Sequence, residues 1–79
     1  MPTVKRAGPY RIYFYSHDLE NEPPHVHVDR DDLSAKFWLE PLALARNLGF
    51  SPAELREVER TLREHQQELL EQWYANFGH

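Results

Sequence analysis

Three of the five histidines lie close together along the chain, and their spacing indicates where a functional site would form. His25 and His27 alternate with Val26 and Val28, which is the two-residue period of a β-strand. The two imidazoles are therefore expected on one face of a sheet and the two valines on the other. His17 ends a second strand-like run eight residues before His25, so we expect it in the same region.

Two kinds of chemistry suit such a cluster of imidazoles. An imidazole changes its charge near neutral pH, so His25 and His27 are candidate catalytic groups acting as a general acid and a general base. Imidazole is also a frequent ligand of transition metals. On a strand the two Cα atoms would lie about 7 Å apart, and His17 or Asp29 would complete a three-ligand site for Zn²⁺ or Ni²⁺. The spacing by itself leaves both interpretations open.

The elements that would position these residues follow from the hydrophobic period of the chain. Strand-like runs occupy residues 10–16, 25–29 and 34–40, and residues 42–46 form a candidate fourth strand. From Ser51 onward, apolar residues recur every three or four positions, as in an amphipathic helix. Ser51 has the N-cap position, Pro52 the first helical position, and Glu54 is expected to close a capping box.

This order of elements predicts an α+β fold in a single domain covering residues 1–79. We expect a three- to four-stranded antiparallel meander, at about residues 10–46, followed by one long C-terminal helix at about residues 52–77. One helix covers one face of such a sheet. The face expected against it carries Ile12, Phe14, Val26, Val28, Ala35, Phe37 and Leu39.

The opposite face is expected to be uncovered and to form the binding surface. Besides His25 and His27, its expected residues are Arg11, Tyr13, Tyr15, His17, Lys36 and Trp38. Aromatic rings beside cations on an open sheet favour recognition of RNA or of a partner protein. The same composition also fits a face covered by a second copy of the chain, in a structural homodimer.

Composition narrows the class of protein. The chain has 79 residues, no cysteine and a formal net charge of −4, so it forms no disulfide and does not wrap nucleic acid by charge alone. Its apolar runs are too short to cross a membrane, and its first residues lack the apolar stretch of a signal peptide. We therefore expect a cytoplasmic protein with no membrane contact.

As a whole, the chain resembles the small bacterial domain-of-unknown-function family numbered 4160. The resemblance rests on Met1-Pro2-Thr3-Val4, Gly8, Ile12, Phe14, Ser16, Asp18, Pro24-His25-Val26-His27-Val28, Lys36-Phe37, Gly49-Phe50, Leu69-Leu70 and Trp73. Its most specific element is Pro24-His25-x-His27, and the acidic loop at residues 18–22 is longer than is usual in that family. Genes of the family often lie beside genes of a second short family, numbered 2442, in a toxin–antitoxin-like arrangement.

The resemblance implies a small partner-binding protein whose partner is encoded by the adjacent gene. It supplies no catalytic residues, and an enzyme is the less favoured expectation. If there is an enzymatic activity, the resemblance suggests a ribonuclease-like one, for which His25 and His27 are the candidate groups. A metal-binding module using His17, His25 and His27, and a structural homodimer, are the two alternatives. No cofactor is expected apart from the Zn²⁺ or Ni²⁺ of the metal-binding alternative.

Overall fold

A computed structural model describes residues 3–14 and 22–77, which form one antiparallel sheet and two helices. The elements are β1 (Thr3–Ala7), β2 (Tyr10–Tyr13), β3 (His25–Arg30), β4 (Leu33–Leu39), β5 (Leu42–Leu48), α1 (Pro52–Glu64) and α2 (Gln66–Phe77). Each strand pairs with the next one along the chain, in the order β1-β2-β3-β4-β5. The α+β class and the meander are confirmed, whereas the strand count and the single helix need correction.

The sheet has five strands where the sequence predicted three or four. The additional strand, β1, contains two adjacent cations, Lys5 and Arg6, which obscure its apolar pattern. It joins β2 through a turn at Gly8, whose φ of 59° suits a residue without a side chain. β2 ends at Tyr13 instead of continuing through Phe14, and residues 15 and 16 of the predicted strand lie outside the described ranges. β5 continues to Leu48 rather than ending at residue 46.

The apolar face of the sheet packs against the helices as predicted. All seven residues assigned to this face are buried, with Ile12, Val26, Val28 and Leu39 fully enclosed. The helices contribute five residues to the same core: Val58, Leu62, Leu69, Leu70 and Trp73. Hydrophobic burial between one sheet face and a helical layer therefore stabilises the fold.

The predicted single helix is interrupted at His65. Its backbone has φ −113° and ψ 12°, and its N–H donates to Leu62 O at 3.1 Å, in a tighter turn than the α-helix. The His65 carbonyl then accepts from Leu69 N at 2.9 Å and begins α2. The His65 side chain is only half-buried, and its Nδ1 lies 3.8 Å from the Glu68 carboxylate in the first turn of α2.

The start of α1 is fixed by the predicted cap and by one ion pair that the sequence did not predict. Ser51 Oγ accepts a hydrogen bond from Glu54 N at 3.1 Å, as expected of an N-cap. The Glu54 carboxylate does not close a capping box; it binds the Arg30 guanidinium through both oxygens and accepts a hydrogen bond from Tyr10 Oη at 3.1 Å. This cluster joins the end of β3 to the first turn of α1.

Candidate functional site

The sheet face opposite the helices, here called the open face, is organised as rows of side chains across the strands. In one row Tyr13 pairs with His27, His27 with Lys36, and Lys36 with Arg46, so that four neighbouring strands each contribute one residue. The next row contains Arg11, Asp29, Ser34 and Leu48. Antiparallel register places the side chains of a row on the same face, within about 5 Å of their neighbours.

The two rows enclose a shallow open pocket with a volume of about 310 Å³. It is lined by Tyr13, His27, Ser34, Ala35, Lys36, Arg46 and Leu48. Its polar groups are an imidazole, a hydroxyl, an ammonium and a guanidinium, while Tyr13 and Leu48 supply apolar surface. Such a set donates hydrogen bonds and carries positive charge, so its chemistry suits an anionic group.

The described part of the open face carries three cations, Arg11, Lys36 and Arg46, and has two carboxylates near them, whereas the whole chain is acidic. Asp29 accepts hydrogen bonds from Tyr13 Oη at 3.0 and 3.1 Å, and Glu22 binds the Lys36 ammonium. Among residues 3–14 and 22–77, neither Arg11 nor Arg46 forms an ion pair. The open face therefore keeps two arginines that form no ion pair with a described carboxylate, although Asp29 is the strand neighbour of Arg11.

The aromatic rings of this face are already engaged by other side chains. Tyr13 stacks on His27 with ring centroids 5.4 Å apart, and the Arg11 guanidinium lies 4.5 Å from the Tyr13 ring centre. The Lys36 ammonium lies 4.7 Å from the Trp38 ring centre. Tyr13 is only 3% exposed. The rings therefore form walls and cation–π contacts, and they offer little of the exposed ring surface on which bases stack.

His25 does not lie on an exposed surface, contrary to the prediction. It is completely buried, and its ring contacts Trp73 of α2 with centroids 5.0 Å apart, Trp38 at 5.8 Å and His27 at 5.3 Å. Its Nδ1 donates a hydrogen bond to Pro23 O at 2.9 Å. His25 is therefore buried among aromatic rings at the beginning of β3, whereas the half-buried His27 lines the pocket.

The remaining predicted residues divide into two groups. Arg11, Lys36 and Trp38 lie on the open face as expected, although all three are half-buried. Tyr15 and His17 lie outside the described residues. The metal site that includes His17 therefore remains a prediction. Within the described ranges no three or more metal-ligating side chains come together, so the alternative set of His25, His27 and Asp29 is not formed.

The sequence analysis missed the contribution of β5 to the site. Arg46 and Leu48 line the pocket, but no apolar alternation marks residues 42–48, six of which are exposed. The signal that was present is the isolated cation: Arg46 is the only charged residue of β5. A single arginine in an otherwise apolar and neutral strand is a reason to consider a binding role.

Comparisons with known proteins identify a family. A model of the family described as domain of unknown function (DUF4160) matches residues 10–74, and the chain belongs to this family. Searches of curated proteins and of solved structures gave no match to the chain. Neither described helix is both long enough and apolar enough to span a bilayer.

Proposed function

We propose that this member of the DUF4160 family is the binding component of a toxin–antitoxin-like pair, and that its open face holds an acidic segment of a partner protein. The observation that carries the proposal is the row Tyr13–His27–Lys36–Arg46, which lines the pocket and contains a guanidinium with no described carboxylate partner. An arginine that forms no ion pair with a described residue is suited to bidentate binding of a carboxylate from a partner.

A protein carboxylate fits this face better than RNA does. The chain has a net charge of −4, which opposes the binding of a long polyanion more than the binding of a short acidic segment at the open face. Single-stranded RNA also needs exposed ring faces for stacking, and Tyr13 is buried. The pocket supplies cations beside the apolar Leu48, a combination that suits a mixed acidic and apolar peptide.

A binding role is also better supported than catalysis. Of the two histidines proposed as an acid–base pair, His25 is buried and donates its Nδ1 proton to Pro23 O. His27 alone reaches the pocket. A ribonuclease-like mechanism with two imidazoles needs both of them beside the same phosphodiester, so an acid–base pair of His25 and His27 is not part of this proposal.

The test is co-expression and titration with the protein that the adjacent gene encodes. We expect a complex whose affinity falls about tenfold when Arg46→Ala removes one direct charge contact, which corresponds to about 1.4 kcal/mol. Affinity should also fall with ionic strength. Arg56→Ala is the matched control, because Arg56 is an exposed arginine on α1, away from the open face.

Three results would contradict the proposal. An unchanged affinity for Arg46→Ala would place the interface elsewhere. An equal loss for Arg56→Ala would show a response to net charge alone. Tight binding of a short single-stranded RNA, abolished by Arg46→Ala and stronger than binding of the protein, would identify RNA as the ligand of this face.

A further inference from the structure

The outer edge of β5 is an unoccupied strand edge beside the pocket. The sheet order is β1-β2-β3-β4-β5, so β5 pairs with β4 on one side and with no described strand on the other. β5 is seven residues long, has no proline and carries one charge. Leu44 and Leu48, two of the three large apolar side chains exposed within the described ranges, belong to it at 45% and 53% exposure. Long apolar edges of this kind pair readily with another strand.

The opposite edge of the sheet, formed by β1, is better protected against strand addition than the β5 edge. β1 has five residues, two of which are Lys5 and Arg6. Lys5 is tied to Glu68 of α2 at 3.3 Å. The pairing of β1 with β2 and the pairing of β4 with β5 each shift register once, so irregular pairing does not distinguish the two edges. Charged side chains are a usual means of blunting an edge, and β1 carries two adjacent cations where β5 carries one, so strand addition is favoured at β5.

The direction of the backbone groups on β5 follows from the hydrogen bonds of β4. Leu39 N donates to Pro24 O on the β3 side, so Leu39 and, two residues earlier, Phe37 direct their backbone groups toward β3. Their partners on β5, Leu42 and Leu44, are therefore in non-hydrogen-bonded pairs. The N–H and C=O groups of Leu42 and Leu44 point away from β4, toward the position of an added strand.

We propose that an acidic, extended segment of a partner protein adds to β5 as a sixth strand. This inference rests on the proposed function and specifies how the partner binds. An added strand lies about 4.8 Å from β5 and extends the row Tyr13–His27–Lys36–Arg46 by one residue. A carboxylate at that position meets the Arg46 guanidinium. Its neighbours in sequence face the other side of the sheet, where Leu44 offers apolar contact.

The probe for the test is a ten-residue peptide of alternating valine and glutamate with blocked ends, compared with the same peptide carrying lysine for glutamate. We expect the glutamate peptide to bind, the lysine peptide to bind at least tenfold more weakly, and Arg46→Ala to reduce binding. Leu44→Pro removes an N–H that β4 does not use and should reduce binding at least tenfold. Leu44→Ala keeps the N–H and is the matched control. It should lose less affinity for the glutamate peptide than Leu44→Pro.

Amide hydrogen exchange provides a measurement that needs no variant, in case Leu44→Pro does not fold. The Leu42 and Leu44 amides should exchange fast in the unbound protein and slowly with the glutamate peptide, while the Ala43 amide, which points toward β4, should be protected in both. Unaltered exchange at Leu42 and Leu44 in a saturated complex would overturn strand addition.

The outcomes separate the two proposals. If Arg46→Ala loses binding while Leu44→Pro binds like the parent protein, strand addition is wrong and the acidic-segment proposal stands. If the parent protein fails to bind the glutamate peptide at millimolar concentration, strand addition is wrong, and the acidic-segment proposal is decided by the titration with the protein that the adjacent gene encodes. If light scattering shows a dimer without peptide that Leu44→Pro dissociates, a second copy of the chain occupies this edge, and the partner assignment is overturned.

Discussion

At the scale of single residues, the two histidines of the Pro24-His25-x-His27 motif have different roles although only one residue separates them. His25 is enclosed by Trp38 and Trp73, while His27 is half-exposed and stacks on Tyr13 in the pocket. A strand residue is assigned to a face by alternation, but its burial depends on what covers that face locally. The motif therefore combines one packing residue with one residue of the candidate site.

This difference predicts unequal effects of substitution. His25→Ala should lower the free energy of unfolding by about 2–4 kcal/mol, because it leaves a cavity among aromatic rings. His27→Ala should cost about 1 kcal/mol or less, as is usual for partly exposed positions. Denaturant titrations of both variants measure the difference. Equal and small losses would mean that the His25 ring is not enclosed as described.

The cluster of Arg30, Glu54 and Tyr10 predicts a dependence of stability on pH. The hydrogen bonds from Arg30 lower the pKa of the Glu54 carboxyl from its ordinary value of 4.5. A carboxyl whose pKa is lower in the folded protein than in the unfolded chain stabilises the folded protein at pH values above the ordinary pKa. This stabilisation is lost as the pH falls through the lowered pKa. Melting temperatures of the parent protein and of Glu54→Gln should therefore differ at neutral pH and converge in acid. A constant difference at all pH values would contradict the pairing.

At the scale of elements, the cap of α1 was predictable because it depends on neighbouring residues only. Ser51→Ala removes the acceptor of the Glu54 N–H and should cost about 1 kcal/mol of stability. Ser51→Asp keeps an acceptor and is the control, with stability close to that of the parent protein. Chemical denaturation compares the three proteins, and equal midpoints for Ser51→Ala and the parent would show that the cap contributes nothing.

The core face could also be predicted from the sequence, whereas the break between the helices could not. Alternation places Val26, Val28 and Phe37 on one side of the sheet, and the helices that cover this side bury them. At His65 no glycine or proline marks an interruption. Nearby, Gln66 Nε2 donates to Leu39 O at 2.6 Å, a contact with a residue distant in sequence. A helix break that accompanies tertiary contacts of this kind leaves no local signal.

The error in placing His25 follows from the missed break. A straight helix would keep Trp73 on the same stripe as Leu62, facing only the apolar side of the sheet. In the structure α2 is a separate helix, and its Trp73 ring contacts Phe14 of the core as well as His25. Arg46 was missed for a different reason, because an exposed edge strand shows no alternation of apolar and polar residues.

At the scale of the whole molecule, Trp73 joins the parts of the structure that the sequence analysis treated separately. Its ring meets Phe14 edge-on at 5.3 Å and lies 5.0 Å from the His25 ring. It is 3% exposed, in a chain of 79 residues. A domain of this size has a total stability of about 4–12 kcal/mol, at roughly 0.05–0.15 kcal/mol per residue. Burial of a single large aromatic side chain therefore contributes a substantial share of the free energy of unfolding.

We expect Trp73→Ala to remove about 3–5 kcal/mol, enough to leave much of the chain unfolded at 37 °C. Trp73→Phe keeps a ring in the same place and should retain the fold with a smaller loss. Tyr74→Ala is the matched control, because Tyr74 is the exposed aromatic neighbour on the same helix. Circular dichroism melts of the three variants measure the effect. If Trp73→Ala had the same melting temperature as the Tyr74→Ala control, α2 would not be an essential part of the core. The residues that enclose His25 would then have to come from elsewhere in the chain.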